Sequence, residues 1–393
     1  MVVAYDPFSP EAMADPYPLY RELRDEAPVY RMERYDAWAL SRFAEVWEVL
    51  EDRERFSIVE GPVFNRDRLL TRNAGPPARN ADAMTSFAMV DPPEHTGYRR
   101  AMHRAFTPRR ALSLEPAVAE LVGARLDALA GRDDFDVVGD YAGPVSAAAT
   151  LRFLGLPEHD APWLRERVTA SNRRAPGQPG VSPDGAAARG EMHGYLVQHV
   201  RDAPGEVAAA LLDTGIGGEA TAVQLGTILV GGIETLPKII AGAAVRLAGD
   251  AAQHAALVDD PAIVPGAFEE IVRLEGVLQS VGRTLVTDTV IGGQPMSAGQ
   301  RVMLLLQSAN RDEREFADAE RFDVRRVIPR HVGFGQGTHF CIGIHVARTT
   351  GVALLRGLLE RYPQFTVDFS GAERPPSEFQ IGWTRLPIVV ASR

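Results

Sequence analysis

The chain has 393 residues, 45% of them apolar, a single cysteine and a formal net charge of −10 at pH 7. That size and apolar share support a large buried core, and the acidic balance argues against a nucleic-acid-binding surface, which has to be basic. One thiol rules out an intrachain disulfide framework and the multi-thiolate zinc and iron–sulfur sites, and it fits a reducing cytoplasm.

The opening twenty residues combine acids and prolines without a basic start or a continuous apolar run, so no signal peptide is expected. No window is read as approaching the roughly 20 apolar residues of a membrane span. Residues 18–26 are predicted as a short amphipathic helix, 29–40 as strands and 42–50 as a helix. Residues 61–91, rich in Gly and Pro, read as a long irregular loop; such loops are uncommon unless functional, so this one is a candidate substrate loop. Helices are expected at 94–106, 114–130 and from 144 to 154. Residues 171–185 lack apolar periodicity and read as a mobile connection, a candidate lid. Residues 219–248 form an apolar, Gly- and Ala-rich helical run that has to be buried. A helix at 261–274, short strands over 285–306, a helix at 345–362 and a strand-like tail at 365–390 complete the chain. The expected fold is mainly α with small β-sheets, one domain over 1–393 with a β-rich subregion near 29–60 and 277–306.

The segment G-F-G-Q-G-T-H-F-C-I-G, residues 333–343, runs straight into the last long helix. Gly335 and Gly337 permit a tight bulged hairpin. Cys341 then falls at a helix N-terminus, where backbone N–H groups and the dipole favour a thiolate. Gly343 would let a flat ligand approach the backbone. Taken alone, such a thiolate is an iron ligand, a nucleophile or an inert core residue.

The pattern F-G-x-G-x-H-x-C-x-G over 334–343 resembles the haem-binding loop of the cytochrome P450 superfamily, soluble bacterial type, and the resemblance extends over essentially the whole chain. It implies a triangular helical fold holding haem b (iron protoporphyrin IX) beneath a long central helix. Cys341 would be the axial iron ligand, with Phe334 and Gly343 beside the cofactor. His95, Arg99, Arg283 and His339 match the ligands of the haem propionates, a role suited to charge-assisted donors. Glu270 and Arg273, three apart on one helix face, match a structural network completed by an arginine downstream, assigned to Arg321.

Gly231-Gly232-Ile233-Glu234-Thr235 resembles the oxygen-activating stretch, with Glu234 and Thr235 as the acid–alcohol pair that delivers protons. Two glycines inside a helix each cost about 1 kcal/mol relative to alanine, and a small bound ligand in a helix groove would offset that. The competing reading is a Thr235 that only back-bonds to the preceding turn. Pro237 cannot donate to the Ile233 carbonyl, so a kink or widening is expected there. By position, the substrate lining is expected from Phe87, Met89, Val90, Leu229, Gly231, Val277, Leu278, Val281, Phe379 and Ile381. The expected function is monooxygenation of a small hydrophobic organic substrate with O2, fed by a ferredoxin or similar electron donor. That donor would dock on a basic face around Arg100, Arg104, Arg109 and Arg110, with Arg348 beside it. No nucleic acid and no membrane are expected as partners. Peroxide-driven oxidation, atypical ring coupling or nitration, and a non-catalytic haem sensor are the alternatives.

Overall fold

The computed structural model describes residues 3–72, 75, 77, 82–172 and 182–390. Helices supply most of them, and the longest, Gly218–Gly249, runs through the interior. Most of a helix's stability in a folded protein comes from tertiary packing, and this one is packed along much of its length. Leu225, Leu229, Ile233, Leu236 and Ile240 recur every three or four residues and are buried, packing with the helices Gly143–Leu154 and Pro183–Asp202. The accessible positions Val223, Gly226, Thr227, Val230, Gly231 and Glu234 follow the same period on another face.

By length and composition this helix is apolar enough to cross a membrane, which corrects the expectation that no window would reach that level. Most of its apolar window is buried within the fold, as befits a core helix. The helix continues unbroken through Pro237.

The two segments expected to be rich in strands meet in one five-stranded sheet. Its order is Val29–Met32, Ala37–Leu40, Arg301–Leu304, Val281–Leu285 and Phe56–Ser57. Ala37–Leu40 runs parallel to Arg301–Leu304, while Val281–Leu285 is antiparallel to it with Arg283 opposite Val302. A three-stranded sheet joins Asp134–Asp136, Pro387–Val390 and Phe365–Val367, and a hairpin pairs Thr289–Ile291 with Gln294–Met296.

Residues 61–91 are not wholly irregular. Arg66–Thr71 is helical, capped by the Asn65 side chain, and Phe87–Met89 forms a 3-10 turn capped by Ser86. Each is too short for periodicity to reveal. Of the expected connection at 171–185, Ser171 and Asn172 belong to the helix Ala161–Asn172, and residues 183–185 open Pro183–Asp202 behind a Ser182 cap. Residues 173–181 lie outside the described residues.

Candidate active site at the cysteine loop

The loop before the last long helix is closed by its own backbone. Gly335 donates to the Val332 carbonyl and Cys341 to the Phe334 carbonyl, each at 2.9 Å. Gly337 adopts φ of +71°, and a Cβ there would fall on the Leu50 carbonyl, so both conformation and space demand glycine. The helix Ile344–Arg361 begins three residues past Cys341, with Gly343 at its N-cap.

Burial raises the Cys341 thiol above its ordinary pKa, outweighing the Gly343 N–H and the charges of Arg99 and Arg348, which pull it down. The Gly343 N–H at the helix terminus acts towards the thiolate, as expected, but burial outweighs it. A coordinating metal removes that obstacle, because it deprotonates a thiol outright. Among the described residues, no group of three or more His, Cys, Asp or Glu could hold a metal ion, so a metal at Cys341 has to bring further ligands with it.

A buried network reaches the loop from the helix Val264–Glu275. Arg273 donates to both Glu270 carboxylate oxygens at 2.7 Å, and both side chains are fully buried. Its remaining nitrogen donates to the carbonyls of Asn310, at 2.6 Å, and Ala319, at 2.8 Å. The Asn310 side chain in turn accepts from the Val332 amide at 2.8 Å, just before the loop starts.

The third member of this network is Arg326, not Arg321. Arg326 donates to Glu270 at 3.1 Å and to the Arg321 carbonyl at 3.0 Å. The Arg321 side chain is largely exposed, 3.8 Å from Asp323. The two arginines are five apart in one irregular segment, and only the path of the turn decides which points inward.

Four basic side chains converge beside the loop. His95 and His339 lie against each other with ring centroids 4.1 Å apart and planes tilted by 44°, and Arg99 donates to the Phe340 carbonyl at 2.9 Å. Arg283 is buried and donates to its neighbour's carbonyl, from Nη1 to Gly282 O. No carboxylate among the described residues lies within ion-pair distance of Arg99 or Arg283, and His95 Nε2 is buried without a hydrogen-bond partner. Burial and the charge of Arg99 lower His95 to about 4. Burial, aided by His95, Arg283 and Arg99, lowers His339 to about 2. Burial takes Arg283 down to about 10 against the pull of Asp91. Four buried or half-buried bases without a contacting carboxylate among the described residues are an unfavourable arrangement on their own. They fit a buried dianion such as the two propionates of haem. Gly343 and Gly231 each have open space where a Cβ would stand, as a flat cofactor between loop and helix requires.

The comparisons with known proteins agree. The Cytochrome P450 family model matches residues 261–391. The chain is 33% identical to Cytochrome P450 130 of Mycobacterium tuberculosis, covering 91% of this chain and 90% of the relative. It is 34% identical to Cytochrome P450 monooxygenase PikC of Streptomyces venezuelae, covering 95% and 91%. The crystal structure of CalO2 superposes with a TM-score of 0.86 at 29% identity, over the whole of both chains. The chain belongs to the cytochrome P450 family. As a P450 it is an oxidoreductase of the monooxygenase class and binds haem iron. Its helix-rich architecture with small sheets is that of solved P450 structures.

On the central helix of this P450, the two glycines differ in purpose. Gly231 is exposed, whereas a Cβ on Gly232 would lie 2.5 Å from Thr150 Oγ1. Ser146 donates to the Gly232 carbonyl at 2.8 Å. Helix–helix contact therefore explains Gly232, and the open groove is left to Gly231. Thr235 donates to the Gly231 carbonyl at 2.7 Å, the back-bond weighed above, which leaves its oxygen lone pairs free to accept. Glu234 pairs with Lys238, Nζ to Oε1 at 2.5 Å, and Lys238 also donates to Gln380 Oε1 at 2.8 Å. Lys238 escaped notice in the sequence, although it is the only lysine in the chain.

Two of the expected lining segments come together. Gln279 donates to the Phe379 carbonyl at 2.8 Å and Ile381 to the Val277 carbonyl at 2.7 Å. A third, around Phe87, is tied to the central helix: Gln224 accepts from the Phe87 amide at 2.6 Å, and Ser86 and Thr227 share a 2.7 Å hydroxyl contact. Met89, Gly231, Leu278, Val281 and Phe379 keep accessible surface, while Phe87, Val90, Val277 and Ile381 are buried. Leu229 is fully buried in the core and is not a lining residue; Thr227 and Val230 occupy the accessible stripe instead. A rotation of about 100° per residue separates those faces.

Proposed function

We propose that this P450 is a haem-thiolate monooxygenase that inserts one oxygen atom of O2 into a small hydrophobic molecule, as one domain working in the cytoplasm. The observation that carries it is the lone Cys341 thiol beside His95, Arg99, Arg283 and His339, buried or half-buried bases with no contacting carboxylate among the described residues. Cys341 would ligate the iron, and those four residues would hold the propionates, with Phe334 and Gly343 against the ring. When bound, the haem supplies the redox chemistry of dioxygen, which its thiolate ligand promotes.

The chain's own residues supply position, protons and exclusion of water. Thr235 presents an accepting oxygen above Gly231, and Glu234 holds a carboxylate one residue away on the same helix. The accessible apolar side chains Met89, Val230, Leu278, Val281 and Phe379 suit a hydrophobic substrate, and specialised metabolism is the setting that chemistry fits.

Electrons would come singly from a ferredoxin-type protein. Arg100, Arg104 and Arg109 are exposed without ion pairs among the described residues, and Leu112 is exposed beside them. This makes a basic surface with an apolar centre, suited to an acidic partner. Arg110 is engaged by Glu206, and Arg348 by Glu269, so these two belong to the rim rather than the docking centre.

The deciding measurement is the difference spectrum of the dithionite-reduced protein with and without carbon monoxide. A strongly red-shifted Soret band is expected and would establish haem and thiolate ligation together. Haem-free protein after expression with ample haem supply would overturn the reading. For docking, Arg104→Glu should lower the electron-transfer rate at low salt and lose that effect at high salt; an unchanged low-salt rate would remove Arg104 from the interface.

A further inference from the structure

Lys238 is the one lysine among 42 lysine and arginine residues. It stands one helical turn past Glu234, the spacing and order in which Glu and Lys pair best. Its side chain is 9% exposed and that of Glu234 12%. Desolvating two charges is costly unless both are well partnered, and here the ammonium satisfies Glu234 and Gln380 at once. A Cβ on Gly382 would lie 2.9 Å from Lys238 Cβ, so the lysine stem packs against the tail turn that carries Gln380. Gln380 bridges to Leu278, within the other expected lining segment. The charge of Arg165 also reaches Glu234, but its guanidinium donates to the carbonyls of Gly139 and Val138. Arginine serves everywhere else, and its broader planar fork would fit this place less well than the compact ammonium head.

We propose that Lys238 is a positioning residue. Its ammonium fixes the Glu234 carboxylate along the central helix and ties it through Gln380 to the turn at 379–381, so that the proton-handling acid and the substrate-side turn move as one unit. This inference rests on the monooxygenase reading, in which Glu234 handles protons.

The single lysine makes the test unusually direct. Protein expressed with lysine labelled at the side-chain ¹⁵N carries one such ammonium, observed by NMR in the diamagnetic reduced carbon monoxide form. The wild type should give one slowly exchanging resonance. Glu234→Gln and Gln380→Leu should each shift it or speed its exchange into invisibility; a resonance unmoved in both variants overturns the proposal. In parallel, Lys238→Met should slow NADH-driven oxygen consumption by about tenfold, less than the roughly 10²–10⁴-fold of a proton-transfer group itself, and enlarge its solvent isotope effect. Lys238→Arg, which keeps the charge, should recover part of the rate. A Met variant with wild-type rate and isotope effect would also overturn the proposal. Should Lys238→Met fail to fold, the two resonance shifts decide alone. A preparation without the red-shifted carbonyl band refutes the monooxygenase reading, whereas the band with an unmoved lysine resonance refutes only the role of Lys238.

Discussion

The Asn310 side chain accepts from the amide of Val332 at 2.8 Å, directly ahead of the cysteine loop. Because Arg273 donates to the backbone carbonyl of the same asparagine, the buried Glu270–Arg273 pair is linked through one residue to Val332, where the cysteine loop starts. Asn310→Ala should leave the Val332 amide unsatisfied, at a cost of about 1–3 kcal/mol. Its reduced carbon monoxide complex should show a larger share of the shorter-wavelength band given by a displaced or protonated thiol. A spectrum identical to wild type would mean that the loop holds its shape without this link.

Arg326 and Arg321 offer a sharp contrast. Glu270 has no exposed surface, and removing Arg326 takes away one of its two cationic partners. Arg326→Met should therefore destabilise by about 2 kcal/mol or more, towards the range for a broken buried pair. Arg321→Met should stay within about 0.5 kcal/mol, as surface changes do. Urea denaturation of both variants checks this, and equal losses would contradict the assignment.

The two helix glycines separate packing from function. Gly232→Ala would push a methyl into Thr150 and should cost about 1–3 kcal/mol through overpacking. Gly231→Ala meets no neighbour and should keep or raise the melting temperature by removing a glycine from a helix. Its methyl would intrude on the accessible groove, so the spectral response to an azole inhibitor should weaken. The prediction fails if the two variants lose equal stability.

The acid response should depend on Glu269. Burial would raise its pKa, but hydrogen bonds from His331 and Arg348 and their charges hold it at about 2, below the ordinary 4.5. A carboxyl depressed in the folded state stabilises above its unfolded pKa, and that contribution is lost as pH falls through the folded one. Wild-type stability should therefore drop between about pH 4.5 and pH 2 more steeply than that of Glu269→Gln. Thermal melts across that window test it, and parallel curves would argue against the assignment.

Much of this protein was legible in its residues alone. A contiguous, densely specified loop such as residues 334–343 carries its own geometry, because glycines at 335 and 337 and a cysteine just ahead of a helix constrain one another locally. The burial of the central helix followed from composition, and the strand-rich segments from their turns. Tertiary structure decided what depends on direction. Arg326 replaced Arg321 because an irregular turn has no period from which an inward side chain can be read. Leu229 gave way to Thr227 and Val230 because an all-apolar helix does not reveal which face meets the core. Gly232 belongs to a helix contact that only Thr150, 82 positions earlier, explains. The hold of Lys238 on Glu234 and Gln380 joins residues 142 positions apart, and long-range juxtaposition of that kind is set by packing rather than by local sequence.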